Sequence, residues 1–143
     1  MSGVAVIRYL LANNSPVVAV IPAARIMAGD LPLNIVLPAI SVTQISSVPY
    51  NLMNVNEAKK MHTDRVQVSW LFKGPQGSPS GTGYPGVAAM DALVLAACQS
   101  QRGTVNGVVV DSIVPDIAGP DLTDDAIDEH QRSRDFRVTW IGA

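Results

Sequence analysis

Between Arg65 and Phe72 the chain alternates strictly: Val66, Val68, Trp70 and Phe72 are apolar, and Arg65, Gln67 and Ser69 between them are polar. A period of two is the mark of a β-strand with one face buried and one in water. Such a strand cannot stand alone. It needs neighbours of the same pattern and a layer that covers its apolar side.

The sequence supplies both. Ile40 and Val42 alternate with Ser41 and Thr43, which predicts a strand over Ala39–Ser46. The clean alternation itself predicts a strand over Asp64–Phe72. Asn106-Gly107 favours positive φ and hence a tight turn, so Val108–Val114 reads as a strand with Gly103–Val105 as a short partner. Phe136, Val138 and Trp140 against Arg137 and Thr139 predict a strand over Arg134–Ile141. Two helices can cover this sheet. Ser2 is a plausible N-cap for one reaching Ala12, with Val6, Ile7, Leu10 and Leu11 as its stripe. Asn13-Asn14-Ser15-Pro16 stops it, and Pro16–Ile21 allows one further turn. The other helix spans Pro85–Gln101, with Pro85 in its first turn and Gly103 at its end. Prolines at 32 and 38 predict extended chain from Leu31 to Pro38. The expected fold is therefore α+β: a mainly antiparallel sheet of about four strands, packed on one side by two helices, with long loops. One domain over residues 1–143 fits the length.

From Val87 to Cys98 the only charged residue is Asp91. A helix that covers a sheet needs an apolar stripe, not an apolar cylinder. A second surface should cover this one, either the first helix or a neighbouring subunit. Three connections are long for a small domain: Ser47–Thr63, Lys73–Gly83 and Pro115–Ser133. Tyr50, Met53, Ile117 and Ile127 anchor them, so arms or lids that order against a partner are expected.

Composition narrows the function. Hydrophobic residues make up 48% and charged residues 15%, with a formal net charge of −2, which excludes a disordered chain and argues against a general nucleic-acid binder. No apolar run approaches the ~18–20 residues of a membrane span. Met1-Ser2-Gly3-Val4 lacks a basic region and a cleavage site, so no signal peptide is expected. Cys98 is the only cysteine, so an internal disulfide is impossible and folding in a reducing cytoplasm is expected.

Sites for chemistry are sparse. Gly81-Thr82-Gly83-Tyr84-Pro85-Gly86 has the form G-x-G-x-x-G, but it stands well past the preceding strand, and Pro85 removes one N–H that a phosphate would need. No Walker lysine follows. Asp116, Asp121, Asp124, Asp125, Asp128 and Glu129 are clustered beside His130 without the spacing of a calcium loop. Asp124 and Asp125 could open a short helix near Thr123. Cys98 reads as an inert core thiol, and His62 and His130 as loop residues at the surface. No catalytic centre, metal site or cofactor is expected. Lys59, Lys60 and Arg65 form one basic group, and Arg132, Arg134 and Arg137 another. If their strands pair, one end of the sheet is basic beside an acidic loop. Local pairing would explain that, and so would a head-to-tail contact between copies.

The order of these elements resembles a known family. A helix ending in small polar residues leads through an extended Leu-Pro segment to Leu37-Pro38-Ala39-Ile40-Ser41-Val42-Thr43-Gln44-Ile45-Ser46. Then follow Arg65-Val66-Gln67-Val68-Ser69-Trp70, an Ala-rich helix, Gly103-Thr104-Val105-Asn106-Gly107-Val108 and Arg134-Asp135-Phe136-Arg137-Val138. From about Val4 to Ile141 this is similar to the tail completion and tail terminator proteins of long-tailed bacteriophages and related phage-like particles. The resemblance implies a non-enzymatic virion protein of the tail or neck, assembled in the host cytoplasm. It implies a ring, commonly hexameric, that caps the tail tube, ends its growth and joins it to the head connector or stopper, with DNA passing through and no membrane involved. Ring closure would bury the helix surface of Met90, Leu93 and Val94 and the basic group of Arg65, Arg134 and Arg137. Asp124, Asp125 and Asp128 would lie in the contact or face the lumen. Another neck component, of the head-completion or connector kind, is the nearest alternative. A small ligand-binding or enzymatic α+β domain using the Gly81–Gly86 loop is a further one.

Overall fold

The computed structural model describes residues 2–32, 35–51, 60–73, 83–124 and 129–142. Helices α1 (Ser2–Ala12) and α2 (Ser15–Val20) and a 3₁₀ turn (Ala23–Arg25) lead into strand β1 (Ile26–Ala28). Then follow β2 (Ala39–Asn51), β3 (Lys60–Lys73), helix α3 (Gly83–Cys98), β4 (Gly103–Val105), β5 (Val108–Ala118), β6 (Leu122–Asp124) and β7 (Glu129–Gly142). The seven strands form one sheet in the order β1-β2-β3-β7-β5-β4, with β6 also paired to β7.

The α+β expectation holds, with more strands than the four expected. Those four are present as β2, β3, β5 and β7, each longer than its alternating segment. The additions are β1, β4 and β6, each of three residues, too short to show a period. Gly103–Val105 was legible only through the turn that follows it, where Asn106 and Gly107 take φ of 49° and 78°. Among the described strands β1 is also the one parallel neighbour, lying on β2 at Ile26↔Ile40.

Strand growth shortened the expected loops. β2 runs on to Asn51 and β3 starts at Lys60, so much of Ser47–Thr63 is an antiparallel ladder. A bulge between Gln44 and Ser46 shifts its register. Pro115–Ser133 likewise holds the end of β5, all of β6 and the start of β7. Residues 52–59, 74–82 and 125–128 lie outside the described residues.

The core sits between the sheet and the helices. Val66, Val68, Trp70 and Phe72 are buried as their alternation predicts, and register brings Phe136 and Val138 onto the same face. On α1, Val4, Val6, Ile7 and Leu11 are buried; on α3, Val87, Met90, Val94, Ala97 and Cys98. Trp70 donates its indole N–H to the Val87 carbonyl at 2.9 Å, fixing the first turn of α3 over β3. α1 and α2 both pack on α3. Of the two covers that this helix, charged only at Asp91, allowed, the first helix supplies one. α3 ends at Cys98, earlier than Gly103 suggested, because Ser100 takes a left-handed φ of 62° and gives its N–H to the Ile113 carbonyl. α2 is capped by Asn14, whose side chain accepts from Val17 N–H at 3.2 Å.

Candidate functional site

A buried carboxylate joins the two layers. Asp64 is wholly buried on the core face of β3. It accepts from Gly3 N–H at 3.0 Å, from the Trp140 indole at 2.9 Å and from the Ser47 hydroxyl. Its charge therefore sits at the N-terminus of α1, where the free N–H groups and the helix dipole favour an anion. Gly3 is required there, since a Cβ would stand 2.7 Å from Asp64 Cβ. His62 stacks on Trp140 with ring centroids 4.1 Å apart. Sequence reasoning missed this knot: Asp64 looked like a polar strand start, and His62 like a loop residue. His130 is also corrected, for it is buried on β7.

The arginines fall on two faces, not one. Residues three apart on a strand point oppositely, so Arg134 lies on the helix face and Arg137 on the other. Arg134 grips Asp91 of α3 with Nε and Nη2 at 2.7 and 3.0 Å, and these bonds raise its guanidinium pKa further above the ordinary value. Arg132 pairs with Asp121 and approaches Asp91 at 3.9 Å. On the helix-free face Arg65 and Arg137 are direct register partners, and like charges so placed repel. Asp135 answers Arg65 at 2.7 Å and Asp116 answers Arg137 at 3.1 Å. Local pairing thus accounts for these charges within one chain.

The interface residues expected on α3 need a correction. Met90 and Val94 are buried against the sheet, and Leu93 is half-buried on the core. Burial takes from Met90 and Val94 the surface a partner would need. The exposed side of α3 is Pro85, Ala89, Ala92 and Ala96. Asp124 closes β6 opposite Glu129, in a strand where a helix start had been allowed; Asp125 and Asp128 lie outside the described residues.

Gly81 and Thr82 lie outside the described residues, while Gly83 to Gly86 form the first turn of α3 and Gly86 is buried. Cys98 is buried, and desolvation pushes its thiol up to about 12. Among the described residues no group of three or more His, Cys, Asp or Glu could hold a metal, and no helix is long and apolar enough to cross a membrane. A cavity of about 620 Å³ is lined by Leu31, Pro32, Leu37 and Leu71, with Lys73 and Glu129 at the strand ends.

No family model and no curated protein matches the sequence. Among solved structures, a chain from the virion of the native gene transfer agent particle matches with a TM-score of 0.67, covering 97% of this chain and 94% of that one. The fold is one found in a virion. Identity between the two is 12%, so the likeness is of backbone arrangement, over almost the whole length of both chains.

Proposed function

We propose that this chain is a structural virion protein that forms a ring, commonly of six copies, on the end of the tail tube. The ring ends tube growth and presents the surface that meets the head connector, with DNA passing through. The near end-to-end fold correspondence with a virion chain carries this reading. The resemblance along Val4–Ile141 to tail terminators supplies the position.

The test is to add the purified protein to tail tubes assembled without it. A ring at one end of each tube in electron micrographs, with elongation stopped, is expected. Tubes that stay bare and keep growing would reject the reading. The matched chain belongs to a virion particle, of which tail and neck are both parts, so a neck ring nearer the head is the second reading; binding to filled heads but not to tails would select it.

A further inference from the structure

An edge strand left open is a template on which another chain can build. The ends of the strand order are β1 and β4, each of three residues. β1 lies on β2 only at Ile40–Val42, and β4 lies on β5 only at Val108–Val110. Past those stretches β2 runs on to Asn51 and β5 to Ala118. Among the described residues no strand pairs with their outer sides there.

Hydrogen bonds fix which main-chain groups point outward. Along a strand, a residue's N–H and C=O share one side, and that side alternates from residue to residue. The Val42 carbonyl accepts from Gly29 N–H at 2.8 Å, so Val42 faces out and its neighbours Ser41 and Thr43 face β3. Opposite them stand Ser69 and Gln67, so the odd-numbered residues of β3 are the ones that bond to β2. The bulge moves the register by one, and Ser46 then meets Arg65 while Val48 meets Thr63. Beyond it the even-numbered residues of β2 face inward, and Ser47, Pro49 and Asn51 face out. On β5 the Ile113 carbonyl accepts from Ser100 N–H at 3.1 Å. Ile113 therefore faces out, and so does Pro115, two residues further along an unshifted stretch of ladder.

Each open edge thus carries one proline where an N–H would have met an incoming strand. A proline has none to give. On β5 the outward positions before it are already taken, Val108 and Val110 by β4 and the Ile113 carbonyl by Ser100.

We infer that Pro49 and Pro115 guard the two edges against strand addition by a second copy of this chain. Copies then meet through side chains, and the sheet of one does not run on into the sheet of the next. The inference stands apart from the ring reading, since it concerns a contact that is prevented in a free subunit and in an assembly alike.

Pro49→Val and Pro115→Val each restore one outward N–H in a residue that suits a strand. The wild type is diluted until it sediments as a single chain, and each variant is compared at that concentration. Each should associate at least about tenfold more tightly than the wild type. It should also stop at pairs, because like edges join about a two-fold axis and the other edge stays closed. In the Pro49→Val pair, hydrogen exchange should slow at the amides of positions 47, 49 and 51, which the new ladder would bond. Pro49→Ala and Pro115→Ala return the same N–H without a branched side chain, and they replace a Val variant whose circular dichroism shows a lost fold. Variants as monomeric as the wild type, growth of a single variant past pairs, or pairs in which positions 47–51 still exchange freely would overturn the inference.

Discussion

Asp64 ties the helix layer to the sheet through its side-chain hydrogen bonds. Three donors converge on it, one of them the α1 backbone from 61 positions away. Asp64→Ala leaves buried N–H groups without an acceptor, and about 3–6 kcal/mol of stability should be lost in urea unfolding. Cys98 allows a second prediction. Its thiol, ordinarily at 9.0, is raised to about 12 by burial. It should resist alkylation at pH 8 in the native protein and react at once in denaturant. The linkage sign follows: above 9.0 the unfolded chain releases this proton while the folded chain keeps it. That contribution to stability is whole below pH 9 and declines as pH climbs toward 12. The burial of Cys98 was legible from its place on an apolar helix. The role of Asp64 was not, because no local pattern announces a helix end arriving from far along the chain.

At the scale of elements, α3 meets the sheet through apolar packing, the Trp70–Val87 hydrogen bond and the pairing of Asp91 with Arg134 and, more distantly, Arg132. Asp91→Ala leaves Arg134 without its bidentate partner in a half-buried setting, and a loss of about 1–3 kcal/mol is expected by thermal or urea denaturation. The open strand edges invite a different test. Replacing Pro49 and Pro115 together by Val restores an outward N–H on each edge. Light scattering should then show faster aggregation at equal concentration, with little change in melting temperature. Element boundaries were the least legible feature. Ser46-Ser47, Pro49 and Asn51 have the composition of a loop, yet they continue β2 because β3 offers a ladder to pair with. Pro115 and the aspartates after it were misread in the same way. Asp116 lies in β5 and answers Arg137 on β7, while Asp121, in the turn before β6, answers Arg132.

For the whole molecule, the fold is a sheet with helices on one face and a solvent face that is part apolar, part charge-paired. If the ring reading holds and the acidic segment faces the lumen, its charge repels DNA phosphate and lets the duplex slide. Neutralising Asp124, Asp125 and Asp128 to Asn should then slow DNA ejection from particles; unchanged ejection kinetics would reject that placement.

The sequence by itself determined the α+β class, the four long strands, the helices and most of the core. Those follow from period-two and helical spacing, which burial against any apolar layer would enforce. Tertiary structure alone decided which side chains are left over for partners. Met90 and Val94 turn inward, and Tyr50, Met61, Ile141 and Val109 form one row only through strand register. Periodicity tells which residues of an element share a side. What that side meets depends on neighbours brought from elsewhere in the chain.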